Sequence, residues 1–236
     1  KKMDFRPGQF VYLVVRKPGI SRETHPFSIA SGYRLDAEVK LGIRMVGDYT
    51  RTLDRLEDGD AVTFYGPYGH FGDRFLSADR DCVFIAGGIG ITPFLGMWHV
   101  ALHSEERLDE RDVPEPIRQF HPEILKSWKS PRVHLFYVCR DEADASFDDD
   151  IQGEIASCRS LGFGPPEERD HGYEIYLSEG RDRISAAYIH GRVKGGAMDR
   201  MIFLCGPPAM MESLTRQFRD LGVPGDRIVF ESYSLK

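Results

Sequence analysis

The chain has 236 residues, 41% of them hydrophobic and 29% charged, with 31 basic against 37 acidic side chains and a formal net charge of −6. This is the composition of a globular protein of one or two domains; no basic stripe marks a nucleic-acid surface, and no apolar run approaches the roughly 20 residues of a membrane span. Cys82, Cys139, Cys158 and Cys205 are scattered without a CxxC pair, which argues against zinc, an iron–sulfur cluster or a disulfide framework and for a reducing compartment.

The opening residues do not read as a signal peptide. Arg6-Pro-Gly-Gln leads straight into a β-rich run, and strand patterns recur at Phe10–Val15, His25–Ala30, Val39–Met45 and Ala61–Tyr65. Turn residues stand between them at Pro18-Gly19, Ser31-Gly32 and Asp58-Gly59, and the longest helical stretch is Thr50–Leu56. Short strands with little helix predict a small antiparallel β-barrel over residues 1–78, with Gly66-Pro-Tyr-Gly69 as a tight closing turn.

From residue 79 the pattern changes. Strands at Cys82–Ala86, Arg132–Cys139, Tyr173–Leu177 and Met201–Cys205 alternate with helices at Pro93–His103, Phe147–Ser160 and Pro208–Leu221, and one more strand begins at Ile228. Such alternation predicts an α/β domain over 79–236 with a parallel sheet. A charged, proline-broken insertion at about 105–130 reads as surface elaboration.

The most informative stretch is Asp81–Leu95. A buried strand runs into Gly87, Gly88 and Gly90, and Thr92-Pro93 then supplies a cap and a first helical position. Glycines let the backbone approach a diphosphate, and a helix N-terminus favours the anion. The spacing is GGxGxTP rather than GxGxxG. Cys205-Gly206-Pro207-Pro208 repeats the strand-turn-helix design. Arg140 ends one strand, and Ser178 and Arg181 follow the next, where ligands of doubly wound sheets lie. Donors there suit a 2′-phosphate and hence NADPH; the carboxylates Asp141 and Glu142 beside Arg140 keep NADH open.

Seven ordered segments, GQFVYL, HPFSIAS, IRMVGDYTRTL, GPYG, AGGIGITPFL, FYVCRD and LCGPPAMM, carry a resemblance. The sequence resembles the ferredoxin-NADP reductase superfamily, in the variant found as the dehydrogenase domain of bacterial ferric reductases and NADPH oxidases. That resemblance implies an FAD-binding barrel, here without the strand or two that the family carries before GQFVYL, and electron flow from NAD(P)H through FAD to a one-electron acceptor. The implied acceptor is a membrane haem domain of the same polypeptide or a separate redox partner, with the module in the cytoplasm on the inner face of the membrane. An alternative is a truncated nucleotide-binding module that needs upstream segments to retain flavin and act.

The resemblance also implies residue roles. His25, Pro26, Phe27 and Ser28 lie along FAD with Ser28 at the flavin N5 edge. Arg44, Gly47 and Thr50 hold the diphosphate, which favours FAD over FMN, and Tyr49 offers a ring face. Gly66 lies beside the flavin and the domain interface. Cys205 stands near nicotinamide C4, where it packs and aligns rather than attacks. Tyr233 stacks on the isoalloxazine and moves aside before reaction.

Overall fold

A computed structural model describes residues 3, 5–31, 39–103, 131–160 and 166–231. Among these residues the chain forms two sheets and six α-helices. The first sheet is antiparallel, in the order β2 (His25–Ser28), β1 (Phe10–Val15), β3 (Val62–Tyr68). Strict alternation in FVYLVV turns Val11, Leu13 and Val15 inward and leaves Phe10, Tyr12 and Val14 on the other face. The inward face closes over Ile20, Tyr49 and Leu53, the last two contributed by α1 (Asp48–Thr52) and the 3-10 turn after it.

Two expectations fail in this half. Val39–Met45 is not a strand: a single bridge joins Leu41 to Ile29, and the backbone then leaves the sheet. The cause is contact with the other half of the molecule, since a Cβ at Gly42 would lie 2.5 Å from both Thr92 and Phe147. Nor is Gly66–Gly69 a closing turn. Phe10 pairs with Tyr68 and Tyr12 with Tyr65, so β3 carries an extra residue in a bulge around Gly66, whose φ is 134°. Among the described residues the barrel is partial, a sheet of three strands.

The second sheet is parallel, in the order β6 (Gly172–Leu177), β5 (Val133–Cys139), β4 (Cys82–Gly87), β7 (Met201–Cys205), β8 (Ile228–Glu231). Every residue of β4 and β7 is buried, as central strands covered on both faces require. One face packs under α2 (Phe71–Leu76), α3 (Thr92–His103) and α4 (Asp148–Ser160), the other under α5 (Ala186–Arg192) and α6 (Pro208–Asp220). The short helices α2 and α5 carry no sequence period long enough to announce them. Phe71 and Phe75 of α2 already belong to this second core, ahead of residue 79.

The halves meet backbone to backbone. A Cβ on Gly72 would sit 1.8 Å from the Pro7 carbonyl oxygen, one on Gly8 2.9 Å from the Gly72 nitrogen, and one on Gly96 3.0 Å from the Ser31 oxygen. Gly72→Ala is accordingly expected to cost about 1–3 kcal/mol in urea unfolding, whereas Gly153→Ala is expected to gain about 0.5–1 kcal/mol. Gly153 lies inside α4 with nothing within 4 Å of its would-be Cβ. A Gly72→Ala variant as stable as the wild type would contradict this seam.

Candidate active site

The turns after β4 and β7 lie side by side at the carboxyl edge of the parallel sheet. A Cβ on Gly90 would come 2.3 Å from the Cys205 carbonyl oxygen, and one on Gly87 2.6 Å from Cδ of Pro207. Only glycine allows that approach. The Thr92 hydroxyl donates to the Ile89 carbonyl at 3.1 Å, closing the first turn, and Pro93 follows buried in the first turn of α3. Gly88, with φ 52°, faces the other half of the molecule, its Cβ position 3.7 Å from Nη1 of Arg44.

Between these turns and the end of β2 opens a cleft of about 850 Å³. Pro26, Phe27 and Ser28 line one wall; Gly87, Gly88, Gly90, Thr92, Gly206 and Pro207 line the opposite one; Arg44, Arg140 and Ser178 stand toward its polar end. Residues separated by more than 100 positions in sequence thus converge on one space, at the place where ligands of open α/β sheets bind.

The remaining expected site residues lie elsewhere. Tyr49 shows no face to the cleft: it is buried in the first core with its ring stacked on His25, centroids 4.1 Å apart. His25 in turn bonds Glu23 at 2.9 Å. The Thr50 hydroxyl accepts from the amides of Val46 and Gly47 at 3.1 and 3.0 Å and donates to the Gly47 carbonyl at 3.1 Å, so Gly47 and Thr50 satisfy each other at the start of α1. Gly66 sits in the β3 bulge. Arg181 does not join Arg140: the turn through Gly180, φ 71°, closed by the Arg181 amide on the Ser178 carbonyl, carries it into a separate shallow depression over the Tyr176 ring at 5.9 Å. Cys205 is fully buried behind the cleft wall, its carbonyl rather than its thiol packed on Gly90. Tyr233 lies outside the described residues.

Glu231, next to the cleft's second turn though not among its lining residues, was not singled out in the sequence. Glu231 pairs in register with Cys205 and is half-buried, which pushes its carboxyl above the usual range. A lone acid at the end of a short strand gives no periodic signal, although its position beside a strand-turn-helix unit was readable.

Comparison with known proteins decides the family. Residues 84–216 match the oxidoreductase NAD-binding domain model and residues 1–70 an FAD-binding domain model. The chain belongs to the ferredoxin-NADP reductase superfamily. It is an FAD- and NAD-binding oxidoreductase domain. Over 95% of its length it is 26% identical to sulfhydrogenase 2 subunit gamma of Pyrococcus furiosus, covering 70% of that protein. Over 99% it is 26% identical to the toluate 1,2-dioxygenase electron transfer component of Pseudomonas putida, covering 60% of that one. Among solved structures, the flavohem-like FAD/NAD binding domain of nitric oxide dioxygenase from Vibrio cholerae superposes with a TM-score of 0.69 at 19% identity, covering 97% of this chain and 85% of that one. The Amycolatopsis cytochrome P450 reductase GcoB gives 0.67 at 26% identity, covering all of this chain and 63% of that one.

The superfamily's two cofactors suit the residues present. The cleft has the volume of a cofactor site, an apolar wall in Pro26 and Phe27, a backbone surface stripped of side chains at Gly87–Gly90, and arginines toward one end. No described helix is long and apolar enough to cross a membrane. Among described residues, no cluster of His, Cys, Asp or Glu could hold a metal ion.

Cys139, at the end of β5, lines this cleft, and burial pushes its thiol up to about 11. Below that pH it is protonated and a poor nucleophile. Titration with 5,5′-dithiobis(2-nitrobenzoate) at pH 8 should therefore find no fast-reacting thiol in the folded protein and four in denaturant. A thiol that reacts within the mixing time at pH 8 would contradict the burial described.

Proposed function

We propose that the intact protein uses this module to draw electrons from a reduced nicotinamide nucleotide and pass them, through FAD, to a one-electron acceptor. The observation that carries this reading is the single cleft at the junction of the two halves, lined at once by Pro26–Ser28 of β2 and by the turns after β4 and β7. The two functional parts, up to about residue 70 for flavin and from α2 onward for the nucleotide, then face each other across it.

Bound FAD would supply the exchange between two-electron hydride chemistry and one-electron transfer. The chain's own task is geometry and the exclusion of water. Gly87, Gly90 and Gly206 let the nucleotide's polar backbone approach main chain, with Pro207 and Cys205 fixing the turn on which the nicotinamide end rests. Ser28, buried at the end of β2, orients the flavin's reacting edge, and Phe27 supplies apolar contact. Arg44 offers a guanidinium to a diphosphate from the flavin side. Glu231 pairs in register with Cys205 behind the second turn, and its burial raises its carboxyl above the usual range.

The names of relatives support an acceptor outside this module. Relatives named as an electron transfer component of a dioxygenase and as flavohemoproteins are matched over 60% and 54% of their lengths. We place the acceptor, a haem or another one-electron centre, on a further domain of the same polypeptide or on a separate partner at the cytoplasmic face of a membrane.

The test is anaerobic. Protein reconstituted with FAD should lose its absorbance near 450 nm on mixing with NADH or NADPH, and mass spectrometry of the released flavin should find FAD rather than FMN. Ser28→Ala should slow bleaching by about 10- to 100-fold with nucleotide affinity nearly unchanged, the signature of a group acting on the reaction rather than on binding. FAD that binds and is bleached by neither nucleotide would overturn this function.

A further inference from the structure

The nucleotide end of the cleft carries a charge pattern that chooses between the two nicotinamide nucleotides; the choice rests on reading this cleft as the nucleotide site. Arg140 leaves the end of β5 and is the only cation that the ends of β5 and β6 present to the cleft among the described residues. One edge of its guanidinium is already engaged. Nε donates to Oδ2 of Asp141 at 2.9 Å and lies 3.5 Å from Oδ2 of Asp144. The Asp141 carboxylate is fixed in turn, because its Oδ1 accepts the Asp144 amide at 3.0 Å and caps the short 3-10 turn Glu142–Asp144. The Arg140 bond holds Asp141 below the usual carboxylate range, so the group is ionised wherever the protein is folded near neutrality.

The next strand adds a further acid. The Glu179 amide donates to the Arg140 carbonyl at 2.8 Å, which ties the strand ends together and sets exposed Glu179 beside Arg140. Ser178, the lining residue between them, donates its hydroxyl hydrogen to the Cys139 carbonyl at 3.1 Å and so offers an acceptor to the cleft. Arg181, the second arginine that could have completed a phosphate clamp, is turned away over Tyr176. At the strand ends Arg140 thus faces Asp141, Asp144 and Glu179, while Arg44 reaches Asp144 from the other half at 3.9 Å.

The two candidate ligands meet this edge differently. A 2′-phosphate brings nearly two negative charges and needs free guanidinium donors, while a bare ribose brings a hydroxyl that donates to a carboxylate. We infer that the site selects NADH over NADPH, with Asp141 and Glu179 as the discriminating residues. Both act against the phosphate by repulsion, Asp141 also taking the Nε donor of Arg140, and discrimination by an unfavourable contact is as effective as by a favourable one.

Calorimetric titration of the FAD-loaded protein with ADP-ribose and with 2′-phospho-ADP-ribose isolates this end of the nucleotide from the chemistry. The wild type should bind ADP-ribose at least about 10-fold more tightly, and Asp141→Asn combined with Glu179→Gln should shrink that ratio by about 10-fold or more, chiefly by gaining affinity for the phosphorylated probe. Asp141→Asn keeps an oxygen acceptor for the Asp144 amide; Glu179→Gln alone, at an exposed side chain, should move the ratio the same way by a smaller factor. Equal or tighter binding of 2′-phospho-ADP-ribose by the wild type overturns the selectivity while leaving the dinucleotide site standing. Binding of neither probe removes the nucleotide site itself, and the selectivity with it.

Discussion

Two strand-to-helix turns touch main chain to main chain at the carboxyl edge of the parallel sheet, and the cleft takes its shape from that contact. The Gly90 Cα faces the Cys205 carbonyl at a distance that leaves no room for a methyl group, and Gly87 stands equally close to Pro207. Neither neighbour can yield, since one is backbone and the other a closed ring beginning a helix. With no side chains between them, the turns form a smooth floor open on the side that faces β2. Bulkier residues at these positions would push α3 and α6 apart and fill the space where a ligand's polar backbone must run.

The same device joins the two halves. Gly8, Gly72 and Gly96 build a dry seam at one edge, and Gly42 brings the segment after Ile29 hard against Thr92 and Phe147 at the other. Ion pairs add modestly to that closure. Arg6 and Asp73 of α2 meet at 2.8 Å, both partly exposed, and Arg44 and Asp144 approach only to 3.9 Å with the arginine more than half exposed, pairs of a kind worth about 0–1 kcal/mol each. Packing therefore sets the spacing of the cleft walls, and the charged groups remain available to sort ligands.

Much of this was legible in the sequence because it is written in short-range patterns. The run CVFIAGGIGITP reads at once as strand, turn and helix, and β1 and β7 fall where alternation and a continuous apolar run place them. What escaped depends on contacts that no local pattern reports. Val39–Met45 has strand composition, yet the close approach of Gly42 to the second half takes the backbone out of the sheet. Gly66–Gly69 has turn composition but lies inside a bulged strand. Tyr49 looked free to meet a ring and instead fills the first core, and one positive-φ glycine at 180 sends Arg181 to a different face from Arg140. The glycine turns, set by backbone geometry, come together where their strands end, whereas a long side chain such as that of Arg181 had several directions open to it.

The central claim is that the abutting turns make the nucleotide half of the cleft, and Gly90→Ala tests it most directly. The variant should be loaded with FAD and titrated with NADH under anaerobic conditions, with FAD occupancy measured on the same sample. The account predicts that FAD occupancy holds while NADH affinity falls by at least about 10-fold, because the added methyl displaces one turn from the other. A folded, FAD-loaded Gly90→Ala protein that binds NADH as the wild type does would contradict it.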